Sequence, residues 1–585
     1  MASLRTPSRR LLTRGRAPAS LGLAAALALT TAAAPSVAEA CGGLFCDGAM
    51  PVPVDQTGEN ILFVVDGAAG TVEAHIQIQY MGDPDKFAWV IPVQAIPTFT
   101  AGSELLFSNL LNGTAPTYTL QAVSDCQDDS GDGLGCAAGR LDNATFDGES
   151  AGATGQGTSA GDSDGGPTIV KREIVGAFEI VVLTGGNAQE LFDWLNDNGY
   201  AQDDDAPPIL AEYLSEGYFF AAAKLIHGAG VDELQPLAMT YEGDRPCVPL
   251  RLTRIAAAED MPIRVFALAR ERAAPTVYKH VVLNQALLDW IQGANNYFDV
   301  VIQAIDEAGG QAFITEYAGT SNVVSQGGLY DTRWNASIFA GATPVTNGGY
   351  SVIDALTSQG LMECFDFGEC TYNHPMLLPL LRNYLPTPPG VAENDFYECL
   401  SCFEELIDDV AWDGAKFAAD LDARIIQPGK HAVDLLNTWP YVTRMLTIMS
   451  PHEMTADPEF VTNPDLPDVP NAHTATRNIP CEGSDKVVFD DERELLLEVD
   501  GSWTSFEAPF AERVEVIAPA GAPQVDVDNG EAIDDAIRAS NKRFDYDNGT
   551  RANCSVRAFG RSLGGALSLG LVFAFAWRGR RRKRA

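Results

Sequence analysis

Three groups of residues in this chain have the types and spacing to do chemistry. The first is a histidine set among acceptors. In "TVEAHIQIQYM", Thr71, Glu73, His75, Gln77 and Gln79 fall on one face of an alternating stretch, with Val72, Ala74, Ile76, Ile78 and Tyr80 on the other. His75 is a candidate proton-transfer residue, and Glu316 in "QAFITEY" is the carboxylate that a fold could bring beside it. A merely hydrogen-bonded strand histidine carries the same signature. The second group is "DDSGDG", in which Asp128, Ser130, Asp132 and Gly133 take the first, third, fifth and sixth places of a calcium loop. Its twelfth place is Gly139 rather than a bidentate glutamate, so weak calcium binding competes with a plain solvated acidic turn. No other cofactor is expected.

The third group is cysteine. Setting Cys554 aside as an anchoring or processing residue leaves Cys41, Cys46, Cys126, Cys136, Cys247, Cys364, Cys370, Cys399, Cys402 and Cys481, an even set that reads as disulfides in an exported chain. Cys126 with Cys136 and Cys364 with Cys370 are the simplest local pairs; the remaining connectivity stays open. A zinc site made from Cys364, Cys370, Cys399 and Cys402 is the alternative, which oxidising surroundings oppose. "SPHEM" offers His452, but Ser450, Pro451 and Glu453 already suit N-cap, N1 and N3 of a helical start. No nucleophile elbow, phosphate loop, zinc-protease helix or dinucleotide fingerprint occurs in the sequence.

The elements that must position these residues alternate without a repeat. "ENILFVVDGAAGTVEAHIQIQYMGD" reads as two strands about an Asp66–Gly70 turn, and "KFAWVIPV" (86–93) as a third strand of the same antiparallel meander. "EIVVLTGGNAQELFDWLNDNGY" reads as strand, turn and helix, with Asn187 as N-cap, Glu190 completing a capping box, Leu191, Trp194 and Leu195 on one face, and Gly199 at the end. "MPIRVFALA" and "QAFITEY" are strands, with two helices between them. "SCFEELIDDV", "HAVDLLNTW" and "PYVTRMLTIMS" make the later third mainly helical, while the prolines of "VTNPDLPDVPNAH" require extended chain. Strands and helices in this unrepeated order give an α+β fold.

Both ends suggest export and anchoring. Residues 1–40 carry five arginines, the apolar run "LGLAAALAL" and "AEA" before Cys41, a signal peptide in outline. Lipidation of Cys41 is the alternative to ordinary cleavage, and "SRRLLT" partly resembles a twin-arginine export signal. At the far end a 546–562 linker containing Cys554 leads to "LGGALSLGLVFAFAW" and then "RGRRRKRA" within 563–585. Those fifteen apolar residues rise roughly 22 Å as helix against a hydrocarbon core of roughly 30 Å. The basic stop follows the positive-inside rule. The order cysteine, short apolar helix, arginine run resembles the MYXO-CTERM type of C-terminal sorting tail, which implies processing near Cys554 and contact with export and sorting machinery. A plain tail anchor in the membrane is the alternative.

The whole chain has a formal charge of −40; between the two ends 26 basic residues face 78 acidic ones, a net charge near −52. Such a field repels nucleic acid and concentrates cations. With 46% hydrophobic residues and eight tryptophans the chain can bury a sizeable core, and its length calls for two or more subdomains.

"CGGLFC", "DQTGENILF", "AHIQIQYMGDPDKFAWVIPV", "VGAFEIVVLTGGNAQELFDWLNDNGY", "GGQAFITEYAG" and "MTADPEFVTNPDLPDVPNAHTATR" together resemble the bacterial family of unknown function DUF2330, from Cys41 to about Asn541. The resemblance implies no reaction and no catalytic residues. It divides the mature chain into a β-rich part at 41–124, an acidic Gly/Ser-rich insert at 125–167 and the remainder at 168–545. The reading that results is an exported, disulfide-bonded, acidic surface or envelope protein that binds or scaffolds, its ligand unknown. The alternative is an exported hydrolase with an unconventional site at His75 and Glu316.

Overall fold

Asp66 and Gly70 make the first turn as read: the Asp66 carboxylate accepts from the Ala68 and Ala69 N–H groups, and Gly70 takes φ +66°. The turn joins β1 (Asp55–Asp66) to β2 (Thr71–Met81), antiparallel partners at the heart of the molecule. The computed structural model describes residues 55–81, 88–124, 166–200, 203, 205–226, 233–243, 245–344, 351–365, 369–407, 411–481 and 483–554. The side chain of Cys554, together with Cys41, Cys46, Cys126, Cys136 and the calcium candidates Asp128, Ser130 and Asp132, lies outside the described residues.

Eight further strands extend this hairpin: β4 (Thr98–Ala101), β9 (Leu237–Glu242), β10 (Met261–Ala269), β12 (Lys279–Leu283), β13 (Ala312–Thr320), β16 (Tyr441–Met449), β21 (Ala511–Val516) and β22 (Gln524–Asp528). The order is β22-β21-β12-β13-β16-β10-β1-β2-β9-β4, with β1/β10 and β12/β13 parallel and the other pairs antiparallel. A second sheet, β3 (Ala88–Val93), β8 (Phe219–Leu225), β7 (Phe178–Thr184) and β6 (Thr168–Val175), stacks on one face of the first. Ile61, Phe63, Ala74 and Val265 of the large sheet meet Trp89, Ile91, Ile180 and Val182 of the small one in a shared core. The small sheet's outer face packs on α2 (Ala188–Asp197) and α3 (Ala206–Ser215). On the far face of the large sheet lie α1 (Glu104–Thr114), α5 (Tyr297–Glu307) and α10 (Gln427–Thr438). Four layers result, helix, sheet, sheet and helix.

A third sheet, β20 (Glu494–Leu496), β19 (Lys486–Val488), β18 (Ala472–Ile479) and β5 (Thr117–Ser124), shares a core with Trp290 and with α11 (Gly530–Cys554) through Ile533 and Ile537. Two short pairs join β11 (Ala273–Pro275) to β17 (Phe460–Thr462) and β14 (Met362–Cys364) to β15 (Cys370–Tyr372). Beyond the short α4 (Leu250–Thr253), helices α6 (Val352–Ser358), α7 (Leu377–Tyr384), α8 (Glu393–Glu398) and α9 (Gly414–Leu421) enclose a core of their own around Phe339, Leu380, Phe396 and Phe417. A five-residue π-turn, Asp422–Ile426, links α9 to α10.

The α+β class stands, with three revisions. β3 leaves the first hairpin and pairs with β8, because a strand buried on both faces needs a sheet with cover on each side; the meander is therefore two strands long. "PYVTRMLTIMS" is not helix but the central strand β16: Pro440 stops α10, and eight consecutive buried residues satisfy a strand covered on both sides. Of the two helices expected between β12 and β13, the first is a pair of 3₁₀ turns and the second is α5. Helix is concentrated in 352–438 and returns in α11, with the strands β16–β22 between them. The Asn187–Glu190 capping box forms as read.

Cys364–Cys370 and Cys399–Cys402 are disulfides, so these four sulfurs are not available as a zinc set. Cys481 is also disulfide-bonded. Cys247 departs from the expected set: it is a free thiol, bridged through its backbone to Glu459 and beside none of the other cysteines among the described residues. Burial raises its pKa well above the usual thiol value. Among the described residues no helix is long and apolar enough to cross a membrane.

Candidate functional sites

His75 and Glu316 lie on one face of the large sheet and on one row across it, but at opposite ends. Register carries the row from His75 on β2 to Leu62 on β1, Phe266 on β10 and Arg444 on β16, and then to the bulge at Glu316 on β13. Four strand steps separate the two residues by roughly 19 Å. The proposed catalytic pair is therefore not assembled. Leu62 and Phe266 between them belong to the apolar core beneath α1 and α10.

At the β2 end, strand alternation puts Glu73 and His75 on the same face, and α10 brings His431 over them. Both rings use the same nitrogen on the same oxygen: His75 Nε2 is 2.6 Å and His431 Nε2 2.5 Å from Glu73 Oε1. The two imidazoles stack at 5.9 Å, inclined by 14°. His75 is buried, whereas the His431 side chain is 44% exposed. Burial alone would raise the Glu73 pKa, but hydrogen bonds from His431 and His75 outweigh it and hold the carboxyl at about 2. The same bond to Glu73 raises the pKa of His431. Glu73, His75 and His431 are the only three His, Cys, Asp or Glu among the described residues grouped closely enough to share an ion, with ligand atoms within 4.8 Å of one another.

Local structure explains why His431 reaches this point. α10 buries Ala432, Leu435 and Leu436 against the sheet, and Gly429 lets its first turn press on the Leu329 carbonyl, where a Cβ would stand only 1.9 Å away. Gln77, next on the polar face of β2, is not part of the group. It accepts from Asn60 and donates to Glu104 of α1, each at 2.8 Å or less.

At the β13 end, Glu316 is closed in. Its Oε2 receives Arg444 Nε at 2.5 Å and its Oε1 receives the Tyr297 hydroxyl at 2.7 Å, while Arg444 also donates to the Leu111 carbonyl. Burial, and next the charge of Glu316, push the Tyr297 hydroxyl well above its usual pKa. Glu316 and Tyr297 border a cavity of about 380 Å³ where β12 and β13 part company. His280 lines it too, bonded to Glu515 at 2.9 Å and to Thr315 at 3.0 Å, as do Arg272 and His473, the latter stacked on Tyr118 at 4.8 Å. Burial lowers the pKa of both histidines. His452 joins neither group; Ser450 and Glu453 form the expected capping box around it.

Sequence reasoning reached Glu73, His75 and Glu316 and missed His431, Arg444 and His280. An arginine inside an otherwise apolar strand is a readable sign of a buried ion pair, but it stayed hidden while 440–450 was read as helix. His431 left no comparable sign, since a helix-borne histidine beside lysine looks like surface.

Fold and sites together define an α+β protein built on one long mixed sheet, with two separate polar centres on its helical face. The chain belongs to a bacterial family described as "Uncharacterized protein conserved in bacteria (DUF2330)", which it matches over residues 35–332. That span includes Glu73, His75 and Glu316 and ends before His431 and Arg444. No curated protein and no solved structure matches the chain.

Proposed function

We propose that this chain is an exported binding protein held at the cell surface or envelope through its C-terminal segment. The observation that carries the reading is the oxidised state of Cys364–Cys370 and Cys399–Cys402, since such pairs persist outside the reducing cytoplasm. The signal-like residues 1–40, and the MYXO-CTERM-like order of Cys554, apolar run and arginines, support the same route through the export and sorting machinery. Its acidic surface disfavours nucleic acid as a partner. The cavity beside Glu316 is the place for a small polar ligand, because carboxylate, guanidinium, imidazole and phenol groups all border it.

Protease treatment of intact cells tests the location. Loss of the full-length protein from shaved cells is expected, and deletion of residues 563–585 should release it into the medium. Protection from protease, or recovery in the cytosolic fraction, overturns the reading.

A further inference from the structure

We propose that Glu73, His75 and His431 bind a divalent transition-metal ion of the zinc class, with a fourth coordination position open to solvent. Two imidazole nitrogens and one carboxylate oxygen converge from β2 and α10, elements more than 340 residues apart in sequence. Without an ion, one oxygen of Glu73 serves two ring N–H donors. An ion held at roughly 2.0–2.2 Å from each ligand would separate them to about 3.4 Å around a tetrahedron. Both ring nitrogens now stand closer than that to Glu73 Oε1, at 2.6 and 2.5 Å, so the carboxylate must draw back from both rings by somewhat under an ångström, a shift that the partly exposed Glu73 and half-exposed His431 side chains can share.

The surroundings of His75 fit this role. Gly102 closes over the ring: a Cβ there would lie 2.9 Å from Pro236 and 3.2 Å from His75 Nδ1, so only bare backbone allows the approach. His75 is 2% exposed and its Nδ1 has no hydrogen-bond partner among the described residues. The ring is thus fixed by packing, and Nδ1 is the position that carries the proton when the Nε2 lone pair turns to an ion.

The donor set selects the ion. Two imidazoles with a single carboxylate suit zinc and its first-row neighbours, whereas calcium and magnesium take oxygen ligands almost throughout. Three protein ligands leave one tetrahedral position, and the exposure of His431 puts that position toward solvent, the arrangement of sites that hold an exchangeable water or outside ligand. The acidic protein as a whole concentrates cations near it.

Isothermal titration of the purified mature protein with ZnCl₂, repeated with CaCl₂ and MgCl₂, tests the site. One equivalent of Zn²⁺ is expected to bind well above the diffuse background, with neither hard cation competing. His431→Ala, a change at a half-exposed helix position, should weaken that equivalent by at least about tenfold; Asp434→Asn, one turn away, should keep it. Co²⁺ should give the visible absorption of a four-coordinate ion with the parent protein and lose it with His431→Ala. Glu73→Gln should repeat the loss, with a thermal melt to show that the variant is folded; if it is not, His431→Ala alone decides. Unchanged Zn²⁺ affinity in His431→Ala, equal binding of Ca²⁺ or Mg²⁺, or absence of a stoichiometric Zn²⁺ equivalent overturns the proposal.

Discussion

The two ends of the row from His75 to Glu316 have similar ingredients and opposite states. At the β13 end a carboxylate faces a guanidinium and a phenol, each group has a partner, and the carboxylate and guanidinium are buried. At the β2 end a single carboxylate oxygen is shared by two imidazoles, one of them half exposed. Arginine cannot surrender its proton, so the Glu316 end can only be a fixed ion pair. Imidazole can exchange a proton for a cation, so the Glu73 end can change composition with only a small shift of its side chains. The lesson is that burial and charge alone do not mark a reactive site; what matters is whether the counter-charge can be replaced.

The largest expected effect falls on the closed end. Arg444→Met leaves Glu316 buried without its counter-charge and should cost about 3–5 kcal/mol in chemical denaturation. Adding Glu316→Gln should recover part of that loss. A cost under about 1 kcal/mol would break the contrast, because the pair would then be no more than a surface-like bridge.

His374, in the helical core and 4% exposed, has no ionic partner among the described residues, and burial lowers its pKa to about 4. Its folded value lies below the unfolded value of about 6.5, so the unfolded chain binds the extra proton. Stability from this group is complete above about pH 6.5 and declines as pH falls toward 4, by about 3 kcal/mol in all. Denaturation midpoints measured across that window should flatten in His374→Gln.

The open end depends on α10 sitting close. Gly429→Ala drives a Cβ into the Leu329 carbonyl and should cost about 1–3 kcal/mol, read as a lower melting temperature. By displacing His431 it should also weaken Zn²⁺ binding, while leaving the Arg444–Glu316 pair in place. The smallest effect belongs to calcium. If Asp128, Ser130 and Asp132 form a loop site, its dissociation constant should lie near 10⁻⁴–10⁻³ M, roughly as in extracellular modules. Asp128→Ala with Asp132→Ala should then remove the calorimetric heat of Ca²⁺ but not that of Zn²⁺.

Much of the local structure was legible in the sequence. The Asp66–Gly70 turn, the Asn187–Glu190 cap and the strand Met261–Ala269 each follow from a few neighbouring residues, and each forms. Which sheet a strand joins depends on partners far along the chain, and "KFAWVIPV" carries no mark that its neighbour is Phe219–Leu225. For the same reason Glu73 and His75 were visible as a pair two residues apart, while His431 required the path of α10. Glu316 was rightly singled out as unusual, but its partner was Arg444, since register places four strand steps between it and His75.

The π-turn Asp422–Ile426 gives that path its phase. Ahead of it, α9 points Phe417 and Leu421 into the helical core; after it, α10 points Ala432 and Leu435 onto the sheet. One residue more or less along a helix rotates everything downstream by roughly 100°. Arg424 clamps the turn by donating to Glu233 and Gln235 beside β9. The segment therefore acts as an angular offset between two cores. A single-residue deletion within 422–426 would swing His431 off the sheet while every residue of the site remained in the sequence.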